Sequence, residues 1–227
     1  MSENSSFQEY KEYALKTGRE TAFTEEAKQG IHNRKYSMHK RTAVLYDDRG
    51  LSLISFNDPP CATKTDMFSG VFFSCNIDKE STFTAKKRDF LDKLSFSKGV
   101  GTGNDFVDKK IKAESNDAML LSQVFHSYKV QQAVQKMFKK DARLILGLNS
   151  LNLSFVSAVD FNSSMGIYVL QDWLFDFEKL NFLFENMKII KEEMGHIGFL
   201  NREIAALKMQ QRAHSPQLAA GLASELQ

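Results

Sequence analysis

Apolar and polar residues alternate along "TAVLYDDRGLSLISF", residues 42–56. That period of two predicts strands over Thr42 to Tyr46 and Leu51 to Phe56, joined by a turn at Asp47-Asp48-Arg49-Gly50. Asp58-Pro59-Pro60 ends the pattern, since neither proline can donate to a ladder. In "MFSGVFFSCNIDKESTFTAKK" the residues Met67, Val71, Phe73, Cys75 and Ile77 share one side, and Phe68, Gly70 and Phe72 share the other. This predicts a strand buried on both faces at its start and on one at its end, with a return strand beginning at Thr82, Phe83 and Thr84. Val107, Ile111 and Ala113 interleave with lysines in a further predicted strand. Leu144, Leu146 and Leu148 face Leu151, Leu153 and Phe155 across Asn149-Ser150, which predicts a second hairpin.

Helical spacing governs the remainder. Phe7, Tyr10, Ala14 and Leu15 predict an amphipathic helix ending near Gly18, followed by a short helix from Thr24 to Lys28. Ser115, Asn116 and Asp117 are cap candidates for a helix carrying Leu120, Leu121, Val124 and Phe125, and Val130, Val134, Met137 and Phe138 continue the stripe. Trp173, Phe177, Leu180, Phe184, Met187, Ile190 and Met194 step by three and four, as a long helix facing a sheet does. Ile197, Leu200, Ile204 and Leu207 prolong the rhythm for too few heptads to compel a coiled coil. The tail after His214 is small and polar.

The pattern therefore predicts an α+β fold: a largely antiparallel sheet with helices packed on one face, flanked by a helical N-terminal arm and a C-terminal helix. Residues 1–41 read as that arm with a basic linker, 42–195 as the core domain, and 196–227 as the C-terminal helix and loose tail.

Composition narrows the classes. Of 227 residues, 42% are hydrophobic and 26% charged, which is globular usage. Thirty basic and 28 acidic residues leave a formal charge of +2, far from the excess of a DNA-coating protein. Cys61 and Cys75 are too few for a disulfide framework, and no Cys/His spacing suits zinc. A polar, acidic N-terminus and the lack of a run near ~18 apolar residues point to a soluble cytoplasmic chain.

"FSKGVGTGNDF" invites comparison with a phosphate-cradling loop. A Walker loop places lysine and a hydroxyl after its last glycine, whereas Gly103 precedes Asn104-Asp105-Phe106 and Lys98 lies before the glycines. A dinucleotide fingerprint opens a helix, whereas the residues after Gly103 read as strand. A connection between strands is the better reading.

"MFSGVFFSCNIDKESTFT", "GTGNDFVDKKIKAESNDAMLLSQVF" and "LILGLNSLNLSFVSAV" together resemble an uncharacterised bacterial domain of unknown function, over about Tyr46 to Met194. The resemblance implies a strand–helix–hairpin–helix core and, in many members, preceding transmembrane helices or association with LemA-type membrane proteins. This chain lacks such helices at its N-terminus, and Val107 separates Phe106 from Asp108 where the family pattern has Phe and Asp adjacent. The resemblance implies no catalytic residues.

Paired carboxylates at Asp47/Asp48 and Glu192/Glu193 fit a turn and a solvated helix end better than acid/base chemistry, and His126 beside an apolar stripe has no nucleophile partner in the pattern. No catalytic residue, metal ligand or cofactor is assigned. Two binding features stand out. Lys28, Arg34, Lys35, Lys40 and Arg41 form a basic stretch that would suit an anionic membrane face or nucleic acid. Ile197, Leu200, Ile204 and Leu207 would suit a partner helix or a homo-oligomer. The expected function is a non-enzymatic protein-binding or scaffolding module, with peripheral membrane contact as an added role. An enzyme with a small-molecule pocket is the first alternative. Nucleic-acid binding is the second, and would need the 28–41 cations to share a surface with Lys86, Lys87 and Arg88.

Overall fold

The computed structural model describes residues 4–29, 37–58, 67–89, 99–159 and 161–197. Among the described residues eight strands form one sheet: β1 Glu20–Gln29, β2 Ser37–Tyr46, β3 Ser52–Asn57, β4 Met67–Ser74, β5 Phe83–Lys87, β6 Ile111–Ser115, β7 Ile145–Leu148 and β8 Ser164–Leu170. Their spatial order is β1-β2-β3-β4-β8-β7-β5-β6, and every neighbouring pair is antiparallel. The helices are α1 Asn4–Thr17, a single turn α2 Asp105–Asp108, α3 Ala118–His126, α4 Tyr128–Lys140, and α5 over 177–197. The fold class is α+β, as the pattern predicts.

The long helices α1, α3, α4 and α5 lie on one face of the sheet. Tyr10 and Tyr13 of α1, Leu121 and Phe125 of α3, Val134 and Met137 of α4, and Leu180, Phe184 and Ile190 of α5 bury their side chains in one core with Leu45, Leu53, Val71, Phe73, Leu146 and Ile167. Burying a side chain of that size is worth about 1.5–3 kcal/mol, so this layer supplies the main driving force. The opposite face carries Val44, Ile54, Phe68, Phe72 and Tyr168, covered by Leu153 and Val156 from the connection between β7 and β8.

Local chemistry sets the helix starts. Asp117 caps α3 by accepting from the Leu120 amide at 2.9 Å, and Ser127 both ends α3 and caps α4 through the Val130 amide. Asp141 ends α4 with its own amide on the Met137 carbonyl. In α4 the buried stripe Val130, Val134, Met137 and Phe138 leaves Gln132, Lys136 and Lys139 on the outer flank.

Several expectations are corrected. The predicted helix over Thr24–Lys28 is strand β1, whose Glu25 and Glu26 face Arg41 and Lys40 across the ladder. Opposite charges in register stabilise an edge strand that helix propensity would have claimed. Strand β2 starts at Ser37, so part of the expected linker belongs to the sheet. Strand β5 does not return along β4; it pairs with β6 and β7, and β4 lies between β3 and β8. The second hairpin is also different: β7 pairs with β8, while Leu151, Leu153 and Phe155 lie in the connection. Their alternation serves packing over Phe56 and Phe68, with the Phe155 ring 4.3 Å from that of Phe56. Val107 lies in α2 rather than in a strand, and α5 begins at residue 177, after Trp173.

Candidate anion-binding groove

The β5–β6 ladder ends with Lys87 opposite Ile111, on the face that the helices cover. One residue later the Arg88 amide donates to the Lys110 carbonyl at 2.9 Å. Lys110 sits there because α2 closes with the Lys109 amide on the Asp105 carbonyl and the Lys110 amide on the Val107 carbonyl. Four cations thus meet at one end of the two strands. The outer flank of α4 faces them with Gln132, Gln135, Lys136 and Lys139.

Between these elements lies a groove of about 560 Å³. Ile111 and Phe138, 2% and 3% exposed, belong to its lining and to the core at once. Among the described residues that line it, six are cations (Lys87, Arg88, Lys109, Lys110, Lys136, Lys139) and none is a carboxylate. A concave surface of one sign above an apolar base focuses potential and concentrates anions.

Most of these cations are not neutralised locally. Among the described residues, Lys87, Lys109, Lys136 and Lys139 form no ion pair, and the Nε of Arg88 is buried without a hydrogen-bond partner. Other cations of the fold are paired: Arg143 with Asp172 at 2.6 Å, Lys129 with Glu193 at 2.9 Å, Arg49 with Glu185 at 3.0 Å, and Lys179 with Asp141. Lys129, then Ser127, holds Glu193 below the usual carboxylate range.

The sequence-predicted residues fall elsewhere. Arg41 is buried in β2, bonded to Glu25 through Nε at 2.8 Å and packed over the Phe7 ring. Lys40 reaches Glu26 at 3.9 Å. Lys28 lies in β1, and Arg34 and Lys35 are outside the described residues. These strands form one edge of the sheet, whereas β5 and β6 form the other, so Lys40 and Arg41 do not share a surface with Lys87 and Arg88. Ile197 is buried against the core; Leu200, Ile204 and Leu207 are outside the described residues. Asp47 pairs with Arg19 at 3.3 Å, and His126 is exposed at the end of α3.

The glycine-rich stretch has a structural task. The Val100 amide donates to Ala113 at 2.9 Å, laying the chain along the outer edge of β6. Gly103 takes φ +82° and is followed by α2, not directly by strand. Covering an edge strand this way blocks adventitious pairing.

Sequence reading missed the groove because its cations come from three short runs, Lys87-Arg88, Lys109-Lys110 and Lys136 to Lys139. The signal that could have found them is that all three lie at element ends or on the polar flank of a helix.

No helix among the described residues is long and apolar enough to cross a membrane. No protein-family model, curated protein or solved structure matches this chain.

Proposed function

We propose that this protein is a binding module that holds a phosphate-bearing anionic ligand in the groove between α4 and the paired ends of β5 and β6. The observation that carries this reading is the lining: six cations and no carboxylate among the described residues, above Ile111 and Phe138. Lysines bind phosphate as point charges, Arg88 adds a planar fork of donors, and the amides of Gln132 and Gln135 add neutral ones. The volume is within the ~300–1,000 Å³ usual for ligand sites. The expectation of a non-enzymatic binding module is kept. Its ligand changes from a protein to an anion, and its seat is neither the basic 28–41 stretch nor the expected 197–207 helix but the groove at the other edge of the sheet.

Isothermal titration with inorganic tripolyphosphate tests the reading. Wild type binds, and the exposed-site variant Lys109→Glu/Lys136→Glu/Lys139→Glu, with an unchanged circular dichroism spectrum, does not. Equal binding by the two proteins, or none by wild type, would overturn it.

A further inference from the structure

The outer flank of α4 does not end with the groove. Tyr128, at the first position of the helix, is 69% exposed. Its hydroxyl accepts from Gln132 Nε2 at 2.8 Å, and Gln132 lines the groove. Tyr128, Gln132, Lys136 and Lys139 therefore form one continuous stripe, the first three stepping by four. At 1.5 Å per residue, Tyr128 to Lys139 spans about 16 Å. That is the length of four or five nucleotides stacked at about 3.4 Å each.

The exposed ring is held by the hydrogen bond from Gln132, and Lys136 and Lys139, which form no ion pair among the described residues, follow it along the same flank. Phosphate alone has no use for a ring. A membrane surface would call for several apolar anchors on one plane, whereas this groove is concave and its apolar residues, Ile111 and Phe138, are buried. A duplex presents its bases stacked inside and offers the ring no face. A single strand offers phosphates and unstacked bases together, the pairing of charge and aromatic platform that such sites use.

Resting on the anion-binding reading, we infer that the ligand is single-stranded nucleic acid, its phosphates held by Lys109, Lys136 and Lys139 and one base stacked on Tyr128. Recognition by a ring face and by phosphates reads no base edges, so binding is sequence-tolerant.

The test is fluorescence anisotropy with three labelled probes of equal length, about twelve nucleotides, within the range of single-strand site sizes. They are an oligouridylate, an abasic strand with the same phosphates, and a duplex. Wild type binds the oligouridylate at least about fivefold more tightly than the abasic strand, the lower limit for one stacked base. Tyr128→Ala brings the oligouridylate down to the abasic level and leaves abasic binding unchanged, and Tyr128→Trp restores the difference. Equal binding of the oligouridylate and abasic strands, unaffected by Tyr128→Ala, would sink the nucleic-acid inference while leaving the groove as an anion site. Duplex binding as tight as that of the single strand would sink it too. If Lys109→Glu/Lys136→Glu/Lys139→Glu leaves abasic binding intact, the groove reading itself falls.

Discussion

The amide of Arg88 donates to the carbonyl of Lys110 at 2.9 Å, so the bond that closes the β5–β6 ladder also brings two cations to one point. Like charges repel, and a fold selected for stability alone would set a carboxylate among clustered cations, as it sets Asp141 between Arg143 and Lys179. Holding Lys87 and Lys109 at this point with no ion partner among the described residues costs stability that an anionic ligand would return on binding.

The salt dependence of binding comes directly from this arrangement. If Lys87, Lys109, Lys136 and Lys139 each neutralise one phosphate of a single strand, log K falls against log salt concentration with a slope of about −3. Each lysine changed to glutamine, Lys109→Gln then Lys136→Gln, should make the slope shallower by about 0.7. Anisotropy titrations between low and physiological salt measure it. A slope near zero would mean that the groove contributes no phosphate contacts.

Legibility in the sequence varied with how local the signal was. The β2–β3 hairpin was readable because alternation on both sides meets a turn whose Gly50 takes φ +70°, a conformation suited to glycine. Strand β1 was not, since Glu25, Glu26 and Ala27 favour helix by themselves, and only the ladder places Glu25 on Arg41. Leu151, Leu153 and Phe155 have the period of a strand but use it to cover the far face of the sheet. The pairings β4–β8 and β5–β7 join residues far apart in the chain, and no local pattern encodes them. The groove was hidden for the same reason: its cations become neighbours only when the β5–β6 edge and α4 are brought together.

Asp141 ties the end of α4 to the start of α5. Its carboxylate accepts from the Arg143 backbone amide at 2.9 Å, from the Arg143 guanidinium, and from Lys179. Burial alone would raise its pKa, but the bonds from Arg143 and Lys179 together hold it well below the usual carboxylate range. A depressed folded-state pKa contributes stability above the unfolded value of about 3.9, and that contribution is lost as pH falls through the folded value. Asp141→Asn keeps the acceptor for the Arg143 amide and removes the charge, so it should cost about 1–3 kcal/mol at neutral pH. Urea unfolding of both proteins should show the gap narrowing below about pH 4. A gap that is constant with pH would assign the loss to packing instead.

Glycine and aromatic residues pair across the centre of the sheet: Gly70 faces Tyr168, and Gly166 faces Phe72. The rings of Phe72 and Tyr168 stack at 6.0 Å and 13°, and the Phe72 ring lies over Gly166 of the neighbouring strand. A Cβ built on Gly166 would stand 2.1 Å from Cδ1 of Phe72, whose ring is 2% exposed and already packed against Tyr168. Gly166→Ala must therefore displace a buried ring, at a cost of about 1–3 kcal/mol. For a chain of this size that lowers Tm by about 2–4 °C per kcal/mol. Phe72→Leu is destabilising alone, because it removes a buried ring and the stacking it makes with Tyr168. Combined with Gly166→Ala, however, it clears the space the methyl needs. The double variant should lose less than the two single losses added together, a coupling expected only of residues in contact. Strictly additive losses in thermal unfolding would place the cost of Gly166→Ala in the backbone rather than against the ring.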